Sequence, residues 1–299
     1  MKKVVIKNKK SFIITSIVSA IAIGSGVLAG LYLGQEFITP QTNYGSLNQN
    51  ELEDDNEKLF QKYQNTDKGS YSKFKHYEMI NIGLKQLSAE EYFQTTEIGE
   101  VNASGIIQTI YGTNIRYQDE YFNESISDSS LVHVAKRFYQ KDEKVAVYTG
   151  NVNTSHTATW SSDNREELTL NDFEAKWGKT LSRGSIYIIS SKTVLDGDVK
   201  FEDNKYKVTV ELDPVKSVVR YVKQMSEMSG LSRNPEFSSV KLEVTLNSDL
   251  KLLNLNSTEV YDVWKFGKHT STGTLNQTFY YGIEEKIPDL NTHCNYEKR

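Results

Sequence analysis

A single cysteine in 299 residues leaves no partner for an internal disulfide and excludes multi-cysteine zinc and iron–sulfur sites. No sign of charge dominates either. A formal net charge of -4 and an isoelectric point near 5.8 give no bulk attraction to nucleic acid, so no nucleic-acid partner is expected. Proline is scarce, at four against 18 tyrosines, and Asn, Ser and Thr are spread throughout, a composition suited to strands. Apolar residues make up 37% of the chain, enough to exclude a wholly disordered one, and the single long apolar run excludes a polytopic membrane protein. Catalytic signatures are also missing. No Walker loop, Rossmann fingerprint, HExxH, EF-hand loop or G-x-S-x-G elbow occurs, so no cofactor and no catalytic residue are expected, and an enzyme with an unfamiliar site is the least favoured reading.

What is there begins with the one apolar run. Lys2, Lys3, Lys7, Lys9 and Lys10 precede an uncharged stretch from Phe12 to Gly34. At ~1.5 Å per residue it reaches about 35 Å, enough for a hydrocarbon core of about 30 Å. Glu36, Glu51, Glu53, Asp54 and Asp55 follow it. By the positive-inside rule residues 1–11 form a cytoplasmic basic tail, 12–34 a transmembrane signal anchor, and the rest lies outside the cell membrane. A cleaved signal peptide is the alternative, because Val27-Leu28-Ala29 fits the small-residue pattern before a cut, and the protein would then be secreted. The apolar run is longer than the ~7–15 residues of a signal core and continues through Leu31, Tyr32 and Leu33, which favours the anchor.

Residues 35–70, with Thr39-Pro40, a polar stretch from Asn43 to Asn50 and an acidic block to Glu57, read as an extracytoplasmic linker. Residues 71–290 form one extracytoplasmic domain, and 291–299 a flexible tail. Phe74, Tyr77, Ile80, Leu84 and Leu87 are spaced for a helix over 73–87. After that the period becomes two: Val145 and Val147 alternate with Ala146 and Tyr148, Val208, Val210 and Leu212 with Lys207, Thr209 and Glu211, and Leu242, Val244 and Leu246 with Lys241, Glu243 and Thr245, as in an antiparallel sheet with one wet face. Lys141-Asp142-Glu143, Asp196-Gly197-Asp198, Glu202-Asp203-Asn204 and Phe266-Gly267-Lys268 read as turns between strands. Two helices interrupt the strands. A short one, capped by Asn171 and stopped at Gly178, carries Phe173 and Trp177. A longer one runs from Asp213 and Pro214 to Gly230, with Val215, Val218, Val219, Val222, Met225 and Met228 on one face and Lys216, Arg220 and Lys223 on the other. The fold class is α+β: a large antiparallel sheet, possible as a half-barrel, with a few helices on one side.

A helix, a meander of strands, the strand Val208-Thr209-Val210-Glu211-Leu212-Asp213-Pro214 leading into an amphipathic helix, and further strands resemble the LolA/LppX-type bacterial lipoprotein-carrier fold over residues 72–283. The resemblance implies a bacterial envelope protein holding acyl chains between a curved sheet and its covering helices. Many members carry a lipobox cysteine; this chain has none after the apolar run and would be held by a helix, which anchors more firmly than one lipid and sits poorly with shuttling.

Chemistry outside that resemblance is sparse. Asp196, Asp198, Glu202 and Asp203 lack calcium-loop spacing and read as wet turns. His76, His133, His156, His269 and His293 form no pair at ligand spacing, so no metal site is expected. His293 beside Cys294 lies on an extended tail, where neighbouring side chains point apart. The strand aromatics, from Tyr111 to Tyr281, serve either as core or as the wall of an apolar pocket between sheet and helix. The candidate ligand-binding residues are Val215, Val218, Val219, Val222 and Met225. The candidate partners are a lipid or other apolar ligand, or, alternatively, an envelope protein docked without catalysis.

Overall fold

A computed structural model describes residues 42–44, 47–129, 133–153, 157–178, 181, 185–229, 233–264, 268–290 and 294–295. The expected span at 12–34 and the basic tail before it, with His156, Gly230 and His293, lie outside these residues. Among the described residues no helix is long and apolar enough to cross a membrane.

The strands form two meanders. The first is β1 (Tyr92–Ala103), β2 (Ile106–Tyr117), β3 (Glu120–Ser129), β4 (His133–Lys141), β5 (Lys144–Val152) and β6 (Thr157–Thr169). The second is β7 (Val194–Glu202), β8 (Lys205–Leu212), β9 (Glu236–Asn247), β10 (Leu252–Trp264) and β11 (Lys268–Tyr281). A short β12 (Cys294–Asn295) follows. All join one 12-stranded sheet in the order β12-β6-β5-β4-β3-β2-β1-β11-β10-β9-β8-β7. The two meanders meet where β1 pairs antiparallel with β11, from Phe93 opposite Tyr281 to Ala103 opposite Ser271.

Local chemistry places most of these strands. On β8, Tyr206, Val208, Val210 and Leu212 are buried while Lys205, Lys207 and Glu211 are exposed, which directs one face inward. Asp203 and Asn204 both adopt positive φ, 51° and 59°, the backbone a two-residue turn needs between right-twisting strands. Asp142 does the same in the β4–β5 hairpin. One expected turn is absent. Asp196-Gly197-Asp198 lies inside β7, where a register shift between Val194 and Asp196 leaves Leu195 as a bulge. The two aspartates are exposed on an edge strand, where charge discourages pairing with another sheet, so their polarity marks an edge and not a turn.

The helices are α1 (Gln49–Leu52), α2 (Asn56–Gln64), α3 (His76–Ala89), α4 (Leu170–Trp177) and α5 (Val219–Ser229), with a 3-10 helix at Lys68–Lys73. The segment expected as a solvated linker is structured from residue 47 onward. Asn48 and Asp55 cap α1 and α2 through their side chains, and Leu47, Leu52, Leu59 and Tyr63 pack partly buried against the main core. The polar caps disguised short amphipathic turns as linker composition. Thr169, not Asn171, caps α4, its Oγ1 accepting from the Asp172 N–H; Gly178 ends it at φ 65°, a left-handed conformation open to glycine without strain. Regular helix in α5 begins only at Val219: Asp213 Oδ1 accepts from the N–H groups of Val215 and Lys216, closing a separate turn first.

Helix packing falls on two flanks of the sheet. α3 lies on β7 to β10, and α4 on β5 and β6, where Phe173 and Trp177 meet Phe138, Val145 and Val147. The opposite face of the first meander carries its own cluster of Ile126, Ala135, Ala146, Tyr148, Ala158 and Trp160, with Leu290 packed on it. Residues expected as part of a flexible tail instead contribute β12, whose Cys294 and Asn295 pair with Ala158 and Thr157 on β6. Leu290 also accepts a hydrogen bond from Arg137 Nη1, at 2.7 Å, through its backbone oxygen.

Candidate functional site

The candidate stripe on α5 faces inward as its spacing requires. Val218, Val219, Val222 and Met225 are buried in the main core and Val215 packs partly buried against it. The Met228 side chain lies outside the described residues. The opposite face divides. Lys216 and Lys223 are exposed, whereas Arg220, expected in water, is 9% exposed. It pairs with Glu53 and donates from Nε to Gln49 Oε1 at 3.0 Å. Helix α1 and the residues after it cover that side of α5, and burial lowers the guanidinium to about 10.

Between α5 and the sheet runs a row of aromatic rings, one of them Tyr221 of α5 itself. Tyr187 meets Tyr221 edge-on at 5.7 Å, Tyr221 meets Phe237 at 5.5 Å, and Phe237 meets Tyr261 at 5.0 Å between centroids. At its centre is a carboxylate, Glu259 of β10, 5% exposed. The Tyr187 hydroxyl donates to Glu259 Oε1, and Tyr221 donates to the same carboxylate from α5. Burial raises Glu259 to about 7, outweighing the two hydroxyls that favour its charged form. The same burial and the Glu259 charge push Tyr187, Tyr221 and Tyr261 upward, so all three stay protonated donors.

Register extends this cluster across the sheet. Glu259 stands opposite Gly273 on β11, and Gly273 opposite Val101 on β1. Two positions along β11, Ser271 stands opposite Tyr261; it is wholly buried, and its Oγ has no hydrogen-bond partner among the described residues. Farther along the same face of β1 to β3 the lining is polar. Asn114 Nδ2 donates to Thr95 Oγ1 at 2.6 Å and Glu97 Oε1 at 2.8 Å, Gln277 Nε2 donates to Glu97 Oε1 at 2.7 Å, and Asn123 Nδ2 donates to Asn114 Oδ1 at 2.6 Å. This strip of β11, β1, β2 and β3 lies between the two helix-covered flanks.

Sequence reasoning marked the buried face of α5 and missed Glu259 and Tyr187. Around Glu259 both faces of β10 mix polar and apolar residues, Ser257 and Tyr261 on one and Thr258 and Val260 on the other, so alternation alone does not say which face is dry. Elsewhere the histidines stay apart: the His133 ring pairs with Asp128, and His269 Nδ1 lies 3.1 Å from Ser104 Oγ. Among the described residues no three His, Cys, Asp or Glu side chains converge as metal ligands.

No family model and no curated protein matches the chain. Among solved structures it is similar to LprF from Mycobacterium bovis, at 9% identity and a TM-score of 0.36, over 73% of this chain and 97% of that one. It is also similar to a DUF1329 family protein from Desulfovibrio piger, at 8% identity and a TM-score of 0.27, over 71% and 93% of the two chains.

Proposed function

We propose that the chain is a membrane-tethered extracytoplasmic protein that binds a lipid or similarly apolar ligand between sheet and helices, without transforming it. Val215, Val218, Val219, Val222 and Met225 form its apolar wall. The observation that carries this reading is the uneven helix cover. α3 and α4 rest on the flanks, while α5 rests on aromatic rings and a buried carboxylate beside the central strip of β11, β1 and β2. Apolar walls with a few convergent polar groups are the usual make-up of small-molecule sites, and a methionine in such a wall adapts to more than one ligand shape. Native mass spectrometry of the purified protein, with lipid extraction, tests it. One co-purified lipid per chain supports binding; an empty protein that takes up neither a fluorescent fatty acid nor a fluorescent monoacylglycerol overturns it.

A second reading, an envelope protein that docks a protein partner, draws on the face away from the helices. There Ile98 is 53% exposed on β1 and Tyr280 is 42% exposed on β11. Crosslinking in cells from a photoreactive residue at 98 separates the readings: a single discrete adduct favours docking, and none disfavours it.

A further inference from the structure

Glu97 lies midway along β1, on the strip between the two helix-covered flanks. Its Oε1 accepts from Asn114 Nδ2 of β2 at 2.8 Å and from Gln277 Nε2 of β11 at 2.7 Å, so the carboxylate is held from both sides. Those two amides are its only hydrogen-bond or ion-pair partners among the described residues: Oε2 accepts nothing, and no Lys or Arg balances the charge. Gly112, opposite Glu97 on β2, permits this posture. A Cβ there would stand 2.7 Å from Oε2 and 3.1 Å from Glu97 Cβ, so the side chain lies flat across the sheet only because a glycine is beneath it. Glu97, Gly112 and Ser125, the residue opposite Gly112 on β3, are all half-buried, so solvent reaches this point of the strip.

We propose that Glu97 Oε2 receives the primary ammonium head of a cationic amphiphile whose chain runs along the strip toward the α5 core. This head-group assignment rests on the apolar-ligand reading above and deepens it. Strands lie ~4.8 Å apart, so β11, β1, β2 and β3 span about 14 Å between the flanks, room for one alkyl chain. Register sets the chain's direction. The next position of β1 on this face is Gly99, with half-buried Leu275 and Ile110 on either side, and the one after is buried Val101. Val101 belongs to the core that holds Val222 and Met225, and Ile110 packs against it, so apolar surface lies that way. The other way the floor is polar, at Thr95 and Asn114. An ammonium brings three protons: one for Oε2 and one for the Ser125 hydroxyl, which has no hydrogen-bond partner among the described residues. A carboxylate head repels Glu97, and a hydroxyl head leaves its charge unbalanced.

The test uses the full chain in a neutral detergent near pH 7.5, where a primary alkylamine is protonated. About 0.3 M NaCl screens diffuse attraction to a chain of net charge -4. Oleylamine, oleyl alcohol and oleate share one chain and differ in the head. The protein is incubated with each, repurified, and its bound lipid quantified by mass spectrometry beside its melting temperature. The expected result is oleylamine retained about fivefold over oleyl alcohol, a difference of about 1 kcal/mol, with oleate retained least. Glu97→Gln should bring amine and alcohol level. Gly112→Ala should do the same, because its methyl displaces the carboxylate, and it decides the matter if Glu97→Gln melts too low to assay. Glu100→Gln removes the same charge from an exposed position on the opposite face of β1 and should leave the ratio as it is. Amine retained no better than the other two lipids by wild type overturns the head-group site while leaving apolar binding standing. So does a preference that persists in Glu97→Gln or Gly112→Ala, or one that falls equally in Glu100→Gln. Retention of none of the three lipids overturns the apolar-ligand reading and the head-group site with it.

Discussion

Arg137 and Glu124 are both buried and ion-paired on the face away from the helices, with the Arg137 guanidinium 4.1 Å from the Trp160 ring centre. Removing one partner leaves a charge in a dry place, so Arg137→Met should cost about 3–5 kcal/mol in chemical denaturation, and far less when combined with Glu124→Met. On α5 the variants should rank by burial. Val219→Asp puts an unpaired charge into the core and should cost about 3 kcal/mol or more. Arg220→Ala strands Glu53 and should cost about 1–3 kcal/mol, whereas exposed Lys216→Ala should stay within about 1 kcal/mol. Equal midpoints for the three would mean that α5 is free of the sheet. Glu259 gives a pH signature. Its folded pKa of about 7 lies above the ordinary 4.5, so between those values the folded state keeps a proton that the unfolded chain has released. Its contribution to stability is therefore full at low pH and is lost as pH rises through that window. Glu259→Gln should flatten the decline in denaturation midpoint between pH 5 and 8; an unchanged decline would assign it to other groups.

At the scale of elements, the strap formed by residues 283–290 together with β12 is the feature most open to direct test. Leu290 packs on the Ile126–Trp160 cluster and β12 adds to the β6 edge. Truncation after Gly282 should uncover that cluster and raise binding of a hydrophobic dye while the α3 side keeps its packing; unchanged dye binding would show the strap to be dispensable. The strap was illegible in the sequence because its residues are polar and short in periodicity, and a two-residue strand has no pattern to read. The 47–64 region hid for a related reason: its capping Asn and Asp residues belong to turns and linkers as much as to helix starts. By contrast, β8 and the α5 stripe were plain, because a long dry surface imposes one period over many residues. The site divides the same way. Its apolar wall repeats every turn, whereas Glu259, Tyr187 and Ser271 come together only through strand register and a loop that sequence spacing does not encode.

For the whole molecule, the proposed tether makes a topological prediction. Protease added to intact cells should remove the sheet domain and spare the 1–11 tail; full protection of the domain would place it inside. The sheet's own layout sets a different constraint, one of timing. Each meander pairs strands that follow one another in the chain, with α5 between β8 and β9, and can assemble as it emerges, but β1 and β11 are separated by most of the domain and must find each other across it. Until residue 268 and beyond are available, β1 offers a row of unsatisfied amide and carbonyl groups on the side away from β2. A chain threaded amino end first must therefore wait with that row open, and another nascent copy's β11 could occupy it. The seam that completes the mature sheet is thus also its point of exposure to strand exchange, and slow delivery of the carboxyl-terminal half should favour swapped dimers over monomers.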